Sequence, residues 1–128
     1  MKDNVAIITG GSRGIGKATA LLLLKEGFSV VISSRNQKEL RETENELKKL
    51  GNVLAIRSDV ANKDDVKELI KETVNKFGNI DVLINNAGVA FEKELDLMSH
   101  NEIDQTINVN LLGPIYMCKE VIPIMKNQ

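Results

Sequence analysis

At 128 residues the chain suffices for one domain with a single core, burying roughly two-thirds of its unfolded surface. With 42% hydrophobic and 27% charged residues, its composition is neither that of a disordered chain nor that of a membrane protein. A net charge of -1, with both signs interspersed, excludes broad attraction to nucleic acid or anionic lipid, so any anion site must be local.

The opening MKDNVAII has a charged head, but its apolar run breaks at Thr9 and Gly10, too short for a signal peptide or a membrane span. A lone cysteine, Cys118, cannot staple the fold and suits a reducing compartment, so a cytoplasmic protein is expected. The first predicted strand is Val5 to Thr9, and the first helix runs from about Arg13 to Lys25, ending at Gly27. Phe28 to Ser33 reads as a second strand without alternation, the pattern of a strand buried on both faces. Asn36 with Glu39 three residues on predicts a helix cap, and Leu40, Leu47 and Leu50 form one stripe ahead of Gly51. Glu44 and Lys48 are placed on the outer, solvated side of that helix.

Val53 to Arg57 is the third predicted strand. After Asn62 a helix buries Val66, Leu69, Ile70, Val74 and Phe77 before Gly78. Ile80 to Ile84 is the fourth strand, followed by NNAG. Ser99 and Glu102 have capping-box spacing, opening a long helix to about Lys126 that should kink at Gly113-Pro114. Strands alternating with helices predict an α/β fold, a doubly wound parallel sheet covered on both faces, as one domain over residues 1–128.

Four glycines, a serine and an arginine lie in ITGGSRGIG, between a buried strand and a helix start. Such a loop presents main-chain amides at the positive end of a helix dipole, which is an anion site, and phosphate is its natural guest. Arg13 inside the turn would spend its charge on water unless an anion lay nearby. The alternative is a tight turn that only lets helix and strand pack.

Thr9 to Gly16, TGGSRGIG, matches the T-G-x-x-x-G-x-G fingerprint of the short-chain dehydrogenase/reductase family. NNAG at Asn85 to Gly88 resembles that family's second signature, and NVNLLGP resembles its asparagine-bearing helix, with Asn110 as the asparagine. Within the family the chain is most similar to the 3-oxoacyl-carrier-protein reductase type and looks like an N-terminal half. The resemblance implies a Rossmann-type topology, with strands in the order 3-2-1-4, and a dinucleotide across their carboxyl ends. It assigns Gly10, Gly14 and Gly16 to the turn, the phosphate approach and the helix-strand contact, and places Ser12, Arg13 and Ile15 along the phosphates. Asp59, with Val60 beside it, matches the acid that accepts from the adenine amino group. The resemblance gives one asparagine of this signature the role of stabilising the sheet, places Asn86 among the coenzyme-binding residues, and has Ala87 and Gly88 let ribose come close. Asn85 and Asn86 remain open to a purely loop-fixing role, and Asp59 to that of a turn residue.

Eighteen residues beyond Gly16, where NAD-using relatives carry an aspartate, stands Ser34, followed by Arg35. With Arg13 this offers two guanidinium groups and a hydroxyl to a 2′-phosphate, with no nearby acid expected, so NADP(H) is the expected cofactor. The expected substrate is a small carbonyl or alcohol. In the family a serine, a tyrosine and a lysine four residues after it complete proton transfer, and Asn110 matches the asparagine that keeps a water in the relay. Tyr116 is the only tyrosine and Glu120 lies four residues on, so the Y-x-x-x-K pair is absent from these residues. The chain is therefore expected to be catalytically inactive alone, with a nucleotide-binding module or an oligomerising scaffold as rival readings. His100 reads as a solvated helix-start residue, and no His, Cys and acid cluster has metal-ligand spacing. Leu111, Leu112, Ile115, Tyr116, Val121 and Ile122 cover more than one helix face, and the fourth strand is expected at a sheet edge, so a homo-oligomer is expected.

Overall fold

Strand β1 (Val5–Thr9) is buried along its whole length, which requires cover on both sides of the sheet it builds. The computed structural model describes residues 2–128 and supplies that cover in chain order. Helix α1 (Gly14–Lys25) follows β1, then β2 (Ser29–Ser34), α2 (Gln37–Leu47), β3 (Val53–Arg57), α3 (Lys63–Phe77) and β4 (Val82–Ile84). A short 3-10 turn at Leu95–Leu97 leads to α4 (His100–Ile107), a π-helical turn at Asn108–Leu112 and α5 (Gly113–Lys126). All strand pairs are parallel, as the strand-helix alternation predicts, and the order is β3-β2-β1-β4, as the family resemblance implies.

Each strand divides its side chains between the two faces. Val5, Ile7, Val31 and Ile56 pack with Val66, Leu69, Met117 and Val121 from α3 and α5, whereas Ile8, Val30 and Ile32 pack with Ala20, Leu24, Leu40 and Leu47 from α1 and α2. Ile7, Ile8 and Ile32 are wholly buried, each contributing about 1.5–3 kcal/mol of apolar burial. A right-handed crossover joins parallel neighbours in such units, which delivers every strand's carboxyl end to the same edge.

Several boundaries differ from the expectation. β2 is shifted by one residue, so Ser34 ends the strand and Arg35 is the first residue beyond it. β4 begins at Val82, because Ile80 and Asp81 pair differently: the Gln128 side-chain amide donates to Ile80 O at 2.6 Å and accepts from Ile80 N at 3.2 Å. α2 ends at Leu47, leaving Leu50 outside the helix and exposed, so the apolar stripe stops one turn earlier. Glu44 faces inward, not outward. It is buried beside Thr43, with Arg41 Nη1 at 3.3 Å and Lys48 Nζ at 3.2 Å supplying the counter-charges its burial requires. Val74 and Phe77 are only half-buried at the edge of their core.

The long helix is three segments, with the irregularity ahead of Pro114. Pro114 has no N–H for the carbonyl four residues back, and the widened turn absorbs the mismatch, with Gly113 N donating to Asn108 O. Gly113 is needed there because a Cβ would meet Val60 Cγ2 at 2.7 Å. Ser99 and Glu102 make both halves of the expected capping box. The Lys93 ammonium, 2.8 Å from Glu102 Oε1, and then the Ser99 N–H hold the Glu102 carboxyl below its ordinary range. Among the described residues, no helix is long and apolar enough to cross a membrane.

Candidate functional site

The carboxyl ends of β1, β2, β3 and β4 open onto one cleft of about 390 Å³, within the roughly 300–1,000 Å³ usual for cofactor sites. Its floor is the turn after β1. Gly10 and Gly14 have φ of 65° and 56°, the left-handed region open to glycine, so the chain reverses sharply before α1. Gly16 lies one turn on and is buried against β1 and the NNAG loop: a Cβ there would overlap the Gly10 carbonyl and come within 2.5 Å of Asn86 Nδ2.

Polar stitching holds the two loops together. Asn86 Nδ2 donates to Thr9 O and Gly10 O, both at 3.1 Å. Thr9 Oγ1 accepts from Asn86 N at 3.1 Å and from Ala87 N at 3.0 Å. Asn85, by contrast, is exposed and reaches only Cys118 Sγ, at 3.6 Å. The part played by Thr9 was not expected, although a threonine closing a buried strand signals a hydroxyl in need of partners.

Helix α1 starts differently from α2, α3 and α4. Those three begin with side-chain caps from Asn36, Asn62 and Ser99 and carry acids in their first turns. Arg13, the residue before α1, makes no capping bond, and no acid occupies the first turn. The N–H groups at the start of α1 therefore have no intrahelical partner and face the cleft together with the dipole's positive end. Ile15 is 79% exposed on this wall, an apolar side chain that none of the described residues covers.

Ser34 and Arg35 form the opposite rim with Arg13. Among the described residues Arg35 makes no ion pair, whereas Arg13 Nε lies 3.9 Å from Glu39 Oε1. Glu39 corrects the expectation of a rim without acids: its carboxylate lines the cleft and accepts from Ser12 Oγ at 2.6 Å. Ser33 and Ser58, at the ends of β2 and β3, are 1% and 2% exposed, line the cleft and have unpartnered hydroxyls. Buried hydroxyls without partners are uncommon, and a polar guest in the cleft would satisfy them.

Asp59, a residue of the cleft wall, accepts from Ala61 N at 2.9 Å through Oδ1, the bond of a turn residue, and its Oδ2 has no hydrogen-bond partner among the described residues. Val60 is buried and serves both the cleft wall and the core beneath Gly113. Ala87 and Gly88 line the far side. Beyond them Asn110, on the π-helical turn, gives both ends of its amide to one residue: Nδ2 donates to Val89 O and Oδ1 accepts from Val89 N, each at 2.8 Å. Asn110 thus fixes the path of the loop after NNAG. Of the residues expected to bind coenzyme or to serve the proton relay, Gly16 and Asn110 do not line the cleft, and both hold backbone that does.

Residues 4–128 match the family described as short chain dehydrogenase. The chain belongs to the short chain dehydrogenase family. It is 38% identical over all 128 residues to an uncharacterized oxidoreductase of Staphylococcus aureus USA300, covering 55% of that relative. It is 42% identical over 125 residues to a 3-oxoacyl-(acyl-carrier-protein) reductase of Staphylococcus epidermidis, covering 96% of this chain and 51% of the relative. An alcohol dehydrogenase from the archaeon Thermococcus sibiricus, solved in complex with 5-hydroxy-NADP, superposes with a TM-score of 0.93 at 34% identity, over 98% of this chain and 55% of that one. The chain spans about half the length of the curated relatives it matches.

In this short chain dehydrogenase chain, the proton-transfer groups expected of a complete site are not among the residues at the cleft. Tyr116 packs against the α3 side of the core with Lys63 Nζ 5.5 Å from its ring centroid, away from the cleft. His100 is exposed at the start of α4. Among the described residues no group of three or more His, Cys, Asp or Glu is placed to hold a metal ion.

Proposed function

We propose that this chain is the dinucleotide-binding portion of an NADP(H)-dependent oxidoreductase acting on a carbonyl or alcohol, of the 3-oxoacyl-carrier-protein reductase type. One observation carries the reading: an uncapped helix start, two arginines and a strand end without an acid at Ser34 converge on a single cleft. The unpartnered Ser33 and Ser58 hydroxyls in the wall agree with a polar ligand. A relative of the same fold is described as complexed with an NADP derivative, which supports the same coenzyme here.

In this reading the bound dinucleotide supplies the hydride for carbonyl reduction. The N–H groups of Gly14, Ile15 and Gly16 bind the pyrophosphate, and Gly10 gives the main chain room to turn beneath it. Arg13, Ser34 and Arg35 hold the 2′-phosphate, and Ser12 adds a hydroxyl to the phosphate-binding wall. The free Asp59 oxygen takes the adenine amino group, with Val60 as its apolar wall, and Asn86, Ala87 and Gly88 shape the ribose end. Asn110 holds the loop on which a water of the proton relay depends. These residues bind and orient, but with no Tyr-x-x-x-Lys pair among them the 128 residues alone deliver no proton to an alkoxide.

Titrating the chain with NADPH and NADH by calorimetry tests this. NADPH binding at least about tenfold tighter than NADH is expected, the scale of one or two charge-assisted bonds. Equal affinity overturns the NADP(H) assignment, and the absence of binding overturns the whole reading.

The same proposal includes a cytoplasmic setting and self-association. The exposed apolar stripe differs from the expected one, since Val121 is buried and Leu112 and Tyr116 are partly covered. Ile107, Leu111, Ile115 and Ile122 remain open along α4, the π-helical turn and α5, and among the described residues β4 pairs only with β1. Sedimentation velocity should therefore show mass rising with concentration, whereas a monomer at all concentrations counts against a homo-oligomer.

A further inference from the structure

Glu39 contacts two of the groups assigned above to phosphate. Ser12 Oγ donates to its Oε1 at 2.6 Å, and Arg13 Nε is 3.9 Å from the same oxygen. The contact is anchored at both ends. Asn36 Oδ1 accepts from Glu39 N at 3.1 Å and fixes the first turn of α2, and one turn later Thr43 Oγ1 donates to Ser12 O. The Glu39 side chain is 32% exposed and lines the cleft, so it is near any anion held there without being sealed from water.

A serine hydroxyl has one proton to give. While Ser12 spends it on Glu39, only oxygen lone pairs face a phosphate, which a phosphate does not favour. Arg13 is likewise drawn toward the carboxylate. A carboxylate near a 2′-phosphate dianion also repels it, whereas a ribose 2′-hydroxyl carries no charge to be repelled.

We propose that Glu39 is a specificity-determining residue that competes with the coenzyme 2′-phosphate for Ser12 and Arg13 and so limits the preference for NADPH over NADH. The inference rests on the dinucleotide reading above. Glu39 brakes the selectivity that Arg35 and Arg13 create, and Arg35, which has no acidic partner among the described residues, supplies most of what remains.

The test compares NADPH and NADH dissociation constants for the unaltered chain, Glu39→Gln and Glu39→Ala. Glutamine keeps an acceptor for Ser12 and removes the charge, so Glu39→Gln should bind NADPH about fivefold tighter with NADH changed less than about twofold, the scale of one partly exposed charge. Glu39→Ala should move NADPH in the same direction, which guards against an effect peculiar to the glutamine amide. Equal tightening of both coenzymes would place the competition at the shared pyrophosphate and overturn the proposal, as would no change or weaker NADPH binding. Those outcomes leave the dinucleotide reading intact. If none of the three proteins binds either coenzyme, that reading falls and this inference with it.

Discussion

Gly16→Ala is expected to lower the melting temperature by several degrees and to abolish measurable coenzyme binding. Two effects oppose each other at this position. Alanine is the better helix former by about 0.5–1 kcal/mol, and Gly16 lies within α1, so propensity alone predicts a gain. The added Cβ, however, would overlap the Gly10 carbonyl and approach Asn86 Nδ2 at 2.5 Å. The first of these is backbone and has no rotamer to change. The second is an amide already committed to Thr9 O and Gly10 O. Relief must come from moving α1 away from β1 and the NNAG loop, and overpacking of this kind costs about 1–3 kcal/mol or more, so the clash wins. The same movement carries the free N–H groups of the first turn out of the cleft, which couples the packing defect to binding. Differential scanning calorimetry with NADPH titration reads both effects. A variant as stable as the parent, or more stable, would show that propensity dominates and that the close approach at Gly16 is not needed.

The alternation of strands and helices was legible because it follows from punctuation, whereas the strand order rested on the family resemblance. Helices α1 and α3 stop at or next to Gly27 and Gly78, both in the left-handed region, and apolar strands without alternation fit a doubly covered parallel sheet. The cleft was legible for a similar reason: its floor is a contiguous loop whose glycines and arginine are neighbours in the chain. What escaped depends on side-chain direction between distant elements. Glu39 lies 27 residues from Ser12, and nothing local indicates that the first turn of α2 leans over the turn after β1. Glu44 lies on the buried face and not the expected solvated one, because a helix with few large apolar residues leaves its facing ambiguous until Thr43 is seen to bond Ser12 O. The proline at 114 announced an irregular helix but not where the ladder would yield. The π-helical turn upstream lets Gly113 sit on Val60, a requirement of tertiary packing.

The fold and the site also divide their labour between chain segments. Residues that line the cleft with open groups, such as Arg35 and Ile15, add little to the core. Those that define its shape, namely Thr9, Gly16, Asn86 and Asn110, act through backbone they hold in place. Substitutions in the first group should change affinity with stability preserved, and those in the second should change both together.

Arg35→Ala belongs to the first group and is expected to reduce NADPH affinity by about tenfold to a hundredfold while leaving NADH affinity nearly unchanged. A charge-assisted hydrogen bond contributes about 1.5–3 kcal/mol, and each 1.4 kcal/mol is about tenfold in binding. Arg35 should deliver more of this than Arg13. It is the first residue beyond β2, is exposed, and makes no ion pair among the described residues, so no internal partner must be given up when a 2′-phosphate arrives. Arg13, 83% exposed but held within 3.9 Å of Glu39, has an anion to leave, and Arg13→Ala should therefore cost NADPH less than Arg35→Ala. The melting temperature of both variants should stay near that of the parent, because neither side chain is packed in the core. Calorimetric titration of both coenzymes into each variant decides the matter. Parallel loss of NADPH and NADH affinity in Arg35→Ala would move that guanidinium from the 2′-phosphate to the common pyrophosphate, and a larger effect from Arg13 would reverse the ranking argued from Glu39.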